Sequence, residues 1–225
     1  MSVAAVDEQV MLSEEQRDAL LRWVGQRPGN GPAVHAFLSS IAFAALRPQE
    51  ALGLRVRDAQ LPDEGVGGLV IHPRHASGKD GVGEASEAPR VVPAPPELVG
   101  ILRAQIARYA LRPDDAIFTG EGGQPLSGAV YRRVWRQARE AVLAGHEIDT
   151  RLGRRVSDLR DARITKWLGG HRTAVEVLMV AECIGVSVFA LARRFPHCFR
   201  PSGKISYDLM EAALMPDEEP VADAR

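Results

Sequence analysis

The run from Pro32 to Ala45 is the stretch that most constrains the fold, because it is apolar on nearly every face of a helix. Such a helix is stable only where other elements cover it, so we expect it to be buried. It follows a breaker cluster at 27–31, which holds one proline and two glycines. Before the cluster, Ser13 and Gln16 have the spacing of a capping box, which predicts an amphipathic helix. The first 45 residues therefore predict two helices.

A β region is predicted between Gly65 and Pro93. Short apolar runs at 69–71 and 90–93 have the composition of strands, and a polar, glycine-rich loop from Ala76 to Ala88 lies between them. Further helices are predicted after Pro95, Ser127 and Asp158, with a last weak apolar stripe between 205 and 215. The fold class predicted is therefore α+β, mainly α-helical, with a small antiparallel β-sheet.

The length of 225 residues is enough for one sizeable domain. We expect a flexible lead-in at 1–10, one domain at 11–215 and a disordered acidic tail at 216–225. The formal charge of -1 gives no overall attraction to nucleic acid, so any such binding requires a local basic face.

The cysteines and the chain's apolar runs bear on location and metals. Cys183 and Cys198 have neither metal spacing nor a disulfide framework, which fits a reducing cytoplasm. His72 and His75 would lie on opposite faces of a strand, so we predict no metal site. There is no signal-peptide pattern and no uncharged run long enough to span a bilayer. The sequence therefore favours a cytoplasmic protein without a membrane partner.

Arg47 directly precedes Pro48, and proline is favoured at the first position of a helix. A guanidinium at that place lies beside the positive end of the helix dipole, which also favours an anion. The segment thus indicates an anion contact. The alternative is an ordinary surface arginine at a helix turn.

The helix predicted after Ser127 is rich in arginine on its polar face, and the chain from Ser127 to Arg172 has a net charge of about +6. Arginine suits bidentate contacts to phosphate. The alternative is a solvated charged face. The polar face is predicted to comprise Arg132, Arg133, Arg136 and Arg139, and we take Arg132, Arg133, Arg136 and Arg155 as candidate phosphate contacts.

The stretch from Ser157 to Cys198 places Arg160 in a short polar turn, then an apolar-periodic run, a break at 185–187 and a short helix that ends near Phe195. Together with the box around Arg47, this layout resembles the catalytic domain of tyrosine recombinases, the phage integrase family. That family has a His-x-x-Arg motif, a Gly-His-Ser turn and a tyrosine nucleophile at the corresponding places. The resemblance covers about residues 12–199.

The resemblance implies a phosphoryl transfer in which a tyrosine attacks the DNA phosphodiester without metal or cofactor. Arg47 and Arg160 match the arginine pair that holds the phosphate. Lys79, which is the only lysine in the β region, is the candidate general acid, with a solvated loop lysine as the alternative. The remaining family positions are substituted, since Ser157 and Val186 stand at the two histidines and Phe195 stands at the tyrosine.

Phenylalanine has no hydroxyl, so the covalent step cannot occur at Phe195. The sequence therefore predicts a DNA-binding member of the family that has lost strand cleavage. Two alternatives stay open, namely an active recombinase with a nucleophile from another residue or chain, and a protein-interaction module or relic without DNA binding. The family's N-terminal core-binding domain has no counterpart in the sequence. The resemblance also implies homo-oligomers through the C-terminal helix.

Overall fold

The structure, a computed structural model, describes residues 5–6, 11–73, 88–169 and 173–199. The helices are α1 Glu14–Gly25, α2 Gly31–Ala44, α3 Pro48–Leu52, α4 Pro96–Arg108, α5 Gly128–Val142, α6 Gly145–Ile148, α7 Ser157–Leu168, α8 Ala174–Ile184 and α9 Val188–Arg194. The strands are β1 Ala59–Gln60, β2 Gly67–Ile71 and β3 Arg90–Ala94. Short 3₁₀ turns occupy Val56–Asp58, Glu121–Gly123 and Pro196–Phe199. The predicted lead-in, acidic tail and C-terminal helix fall mostly or wholly outside the described residues.

Helix α2 is the central element of the fold. Every residue from Ala33 to Ala44 except His35 is buried, which confirms the prediction from its apolar sequence. Helices α1, α4 and α7 all pack against α2. Helix α1 begins with the predicted capping box, in which the Ser13 hydroxyl accepts from the Gln16 amide at 3.1 Å and the Gln16 side chain accepts from the Ser13 amide at 2.9 Å.

The three strands form one antiparallel sheet in the order β1-β2-β3. Leu69 pairs with Val92, and Ile71 pairs with Arg90. Leu69 and Ile71 of β2 and Val92 and Ala94 of β3 are buried against the helical core, whereas Val91 is exposed. The strand predictions, and with them the α+β class, are confirmed.

A second apolar cluster lies beside the main core. It joins α7, α8 and α9 to the residue that follows α2, and its buried members are Ala45, Ile164, Leu168, Ala181, Ile184, Leu191 and Phe195. Helix α7 and the residues that follow α2 therefore adjoin both clusters, and Arg47 lies two residues after Ala45.

Among the described residues, no single helix is both long and apolar enough to cross a membrane. Helices α8 and α9 taken together pass that test of length and composition, but they are bent by 89°.

Candidate functional site

Arg160 lies in the first half of α7 and is buried, with 8% of its surface exposed. Its Nε donates to the Ala45 carbonyl at 2.8 Å and its Nη2 donates to the Ile184 carbonyl at 3.2 Å. Ala45 has a left-handed backbone (φ 51°), a conformation unusual for a residue with a Cβ. That conformation ends α2 and leaves the Ala45 carbonyl as an acceptor for the guanidinium.

Keeping the Arg160 guanidinium charged in this buried position costs free energy. Burial, reinforced by the nearby Arg47 guanidinium, lowers the pKa of Arg160 to about 10. The side chain therefore stays charged at neutral pH. Within the described residues, both of its hydrogen bonds go to backbone carbonyls, and the Glu50 and Asp161 carboxylates attract it only through space. A buried cation with no carboxylate in direct contact is a suitable place for an anionic ligand.

Arg47 precedes α3 in an extended conformation, with Pro48 at the first helical position as the sequence predicts. Its backbone amide donates to a Glu50 carboxylate oxygen at 2.8 Å. Its side chain is 46% exposed, and Nη2 approaches the Gly185 carbonyl at 3.4 Å. Arg47 and Arg160 thus contact the carbonyls of two consecutive residues at the end of α8.

A third guanidinium reaches the same helix end from the sheet. Arg90, the first residue of β3, donates from Nε to the Cys183 carbonyl at 2.9 Å. Three consecutive carbonyls, at 183, 184 and 185, therefore each accept from a different arginine. The negative end of a helix dipole favours cations at this position. We call Arg47, Arg90 and Arg160 the arginine cluster.

Glu50 is the acidic residue that the arginine cluster contacts. Its Oε1 accepts from Arg90 Nη2 at 2.7 Å and lies 3.9 Å from Arg47 Nε. The other carboxylate near Arg160, Asp161, is paired with Arg194, so the three arginines leave a local excess of positive charge. Arg90 is a residue that sequence reasoning missed, because the sequence identified it only as the start of a strand.

Gly185 allows this packing. It ends α8 in the left-handed conformation (φ 66°), and a Cβ at this position would lie 3.1 Å from the Arg90 guanidinium carbon. Ser187 then caps α9 by accepting from the Ala190 amide at 3.2 Å. The break predicted at 185–187 is thus a left-handed glycine followed by a helix cap.

The three substituted positions take different places around this site. Ser157 is the half-buried first residue of α7, and Val186 packs against the second apolar cluster. Phe195 is 1% exposed and belongs to that cluster. The neighbouring Arg194 forms a bidentate ion pair with Asp161, at 3.0 and 2.7 Å from Nη2. This ion pair joins α9 to α7 directly beside Phe195.

The three candidate phosphate contacts on α5 are exposed, but the polar face of that helix is smaller than the sequence predicts. Arg132, Arg133 and Arg136 are exposed, and so is Arg155 before α7. The prediction that Arg139 shares their polar face is wrong. Arg139 is buried and donates to the carbonyls of Leu152 at 3.0 Å and Ile148 at 3.2 Å, because the connection between α5 and α7 folds over it.

Lys79, the candidate general acid, lies outside the described residues, as does His75. His72 is exposed and its Nε2 lies 3.0 Å from Asp58 Oδ1. In the part of the chain that the structure describes, no group of three or more His, Cys, Asp or Glu residues could hold a metal ion.

No protein-family model and no curated protein sequence matches the chain. Solved structures do resemble it. The XerH site-specific recombinase bound to its difH substrate, in a pre-cleavage complex, has a TM-score of 0.64 and 17% identity, over 97% of this chain and 57% of that one. The XerA recombinase has a TM-score of 0.58 and 17% identity, over 92% of this chain and 65% of that one.

The Tn1549 transposon integrase, in complex with transposon right end DNA, has a TM-score of 0.62 and 14% identity, over 91% of this chain and 64% of that one. These neighbours are tyrosine recombinases, and the chain has the fold of their catalytic domain. It spans between 57% and 65% of their lengths. The fold that the sequence resemblance implied is therefore confirmed.

Proposed function

We propose that the protein is a DNA-binding member of the tyrosine recombinase family that holds a DNA phosphate at Arg47 and Arg160 of the arginine cluster without cutting the strand. The observation that carries this proposal is Arg160, a buried guanidinium that is charged at neutral pH and has carbonyls but no described carboxylate as hydrogen-bond partners. A bound phosphate would offset the cost of its burial.

The geometry of Arg47 and Arg160 suits an anion with several oxygens, such as a phosphate. Arg160 is fixed by two carbonyl contacts, and Arg47 is half exposed beside it. Such a pair offers one rigid and one accessible guanidinium, and planar guanidinium groups match phosphate oxygens bidentately. DNA is the phosphate source we favour, because the XerH and Tn1549 structures are complexes with DNA.

Loss of cleavage follows from the chemistry of the substituted residues. Phe195 carries no nucleophilic oxygen, and Val186 can neither donate nor accept a proton. Tyr131 does not replace the nucleophile in this account, because it is 4% exposed and packs against Phe37 with 4.6 Å between ring centroids. We therefore propose that the protein binds DNA through a backbone phosphate and marks or occupies a DNA site without cleaving it. The proposed location is the cytoplasm.

A second function, contact with another protein, is favoured by one observation. The outer faces of α8 and α9 expose apolar side chains, among which Val175 is 66% exposed, Met179 58% and Phe189 73%. This surface is compatible with DNA binding at the arginine cluster, because the cluster lies at the end of α8 and not on its outer face. Homo-oligomers through the predicted C-terminal helix belong to this second proposal.

DNA binding is tested by fluorescence anisotropy with a labelled duplex across a range of salt concentrations. We expect log K to fall linearly with log salt, with a slope of about −0.9 for each phosphate contacted. The triple variant Arg132→Ala/Arg133→Ala/Arg136→Ala should bind more weakly and have a shallower slope, because these exposed arginines lie on one helix.

The matched control removes three exposed arginines from α4 and the turn after it, at Arg103, Arg108 and Arg112. It carries the same change of net charge. Equal weakening by both triple variants would contradict the assignment of α5, because the loss would then reflect total charge alone. A wild-type affinity independent of salt would contradict phosphate binding altogether.

A further inference from the structure

Arg90 has no counterpart in the set of family positions that led to Arg47 and Arg160, yet it makes the shortest ion pair of the arginine cluster. We propose that Arg90 is a positioning residue for phosphate binding, because it neutralises Glu50 and so leaves the Arg47 guanidinium free for the phosphate. This inference rests on the proposed function.

The Glu50 carboxylate lies closer to the Arg90 guanidinium than to the Arg47 guanidinium. Glu50 Oε1 lies 2.7 Å from Arg90 Nη2 but 3.9 Å from Arg47 Nε. The side chains of Arg90 and Glu50 are 20% and 12% exposed, against 46% for Arg47. Water and salt therefore screen the Arg90–Glu50 pair less than the Arg47–Glu50 pair. Arg90 is the principal partner of the carboxylate.

The Glu50 carboxylate is held beside the arginine cluster by a second hydrogen bond. Its Oε2 accepts from the Arg47 amide at 2.8 Å, a contact that caps the start of α3. The negative charge is thus fixed within reach of the Arg47 guanidinium. In the absence of Arg90, that charge would attract the Arg47 side chain and repel an incoming phosphate.

The Nε group of Arg90 has a separate role. Its Nε contact to the Cys183 carbonyl joins β3 to the end of α8. A substitution at 90 therefore removes both a charge and a brace. The two effects are separable, because neutralising Glu50 by mutation replaces the charge effect of Arg90 but not its brace.

The test is a double-mutant cycle on duplex DNA affinity, measured by anisotropy at one low salt concentration. Arg90→Met keeps most of the side-chain volume without the charge, and Glu50→Gln keeps an oxygen that can accept from the Arg47 amide. We expect Arg90→Met to weaken binding about tenfold, comparable to one charge-assisted hydrogen bond. Glu50→Gln should bind at least as tightly as the wild type.

The double variant decides the question. If Arg90 acts by neutralising Glu50, Arg90→Met/Glu50→Gln should bind within about threefold of Glu50→Gln, since there is no carboxylate left to neutralise. A double variant as weak as Arg90→Met would overturn the inference, because Arg90 would then touch the phosphate itself or act only as a brace.

Arg90→Lys covers the case in which Arg90→Met fails to fold. Lysine restores a positive charge beside Glu50, so the affinity of this variant for DNA should stay within about threefold of the wild type. Tenfold weaker binding by a folded Arg90→Lys would contradict the inference.

The failure of this inference can be distinguished from the failure of the proposed function. If Arg47→Ala/Arg160→Ala binds DNA as tightly as the wild type, the proposed function and this inference both fail. If that variant does not bind but Arg90→Met/Glu50→Gln is as weak as Arg90→Met, only the inference fails.

Discussion

Replacing Arg47 and Arg160 together by alanine is expected to weaken duplex DNA binding by at least about 100-fold. Each charge-assisted hydrogen bond to phosphate contributes about 1.5–3 kcal/mol, and the variant removes two guanidinium groups. The slope of log K against log salt should become shallower by about 0.9, because both arginines contact the same phosphate. Anisotropy titrations of the wild type and the variant at matched salt measure both quantities.

The control for that variant is Arg108→Ala/Arg112→Ala, which removes the same charge from exposed positions at the end of α4. Thermal unfolding of both variants shows whether either has lost its fold. A folded Arg47→Ala/Arg160→Ala protein that binds DNA like its control would mean that the arginine cluster is not the phosphate site. The proposed function would then be wrong.

Phe195→Tyr is expected to yield no covalent protein–DNA adduct on suicide substrates. The side chain at this position is 1% exposed and packs among apolar residues of α7, α8 and α9. A hydroxyl added there lies within the second apolar cluster, and Ser157 and Val186 supply no base in place of the two histidines. Denaturing gel electrophoresis after incubation with the substrate detects any adduct.

The same substitution should lower the free energy of unfolding by about 1–3 kcal/mol, the cost of burying a hydroxyl without a partner. For a chain of this size, that corresponds to a fall of roughly 2–4 °C in Tm per kcal/mol. Phe189→Tyr is the matched control, because Phe189 is 73% exposed and its new hydroxyl would be solvated.

The cleavage assay has its own contradicting outcome. Covalent adducts formed by Phe195→Tyr would contradict the view that cleavage was lost at several positions together.

Local features of the fold could be predicted from the sequence because they depend on neighbouring residues. The burial of α2 follows from an apolar run without a polar face, and the start of α1 follows from the spacing of Ser13 and Gln16. The placement of Arg47 before α3 likewise depends on the proline next to it. Each of these features is determined within a few residues of chain.

The features that could not be predicted depend on distant parts of the chain. Periodicity places Arg139 on the polar face of α5, but its carbonyl partners belong to the connection that follows the helix. Arg90 and Glu50 are 40 residues apart in the sequence, one on β3 and the other on α3, and they meet only in the folded chain. Helical or strand periodicity contains no information on such pairs.

In the candidate site too, the position of an arginine could be predicted but its partners could not. The sequence could align Arg160 with an arginine of the family, but the partners of that arginine are the carbonyls of Ala45 and Ile184, 115 and 24 residues away. Backbone acceptors have no signature in a sequence. The lack of a described carboxylate partner, on which the proposed function depends, therefore becomes visible only in the folded chain.

The most direct test of the account is a crystal structure of the protein with a short DNA duplex. We expect one backbone phosphate within hydrogen-bonding distance of both Arg47 and Arg160, with the Glu50 carboxylate still paired to Arg90 and the Phe195 ring still buried. A duplex that binds the protein at another surface, with no phosphate at the arginine cluster, would contradict the central claim.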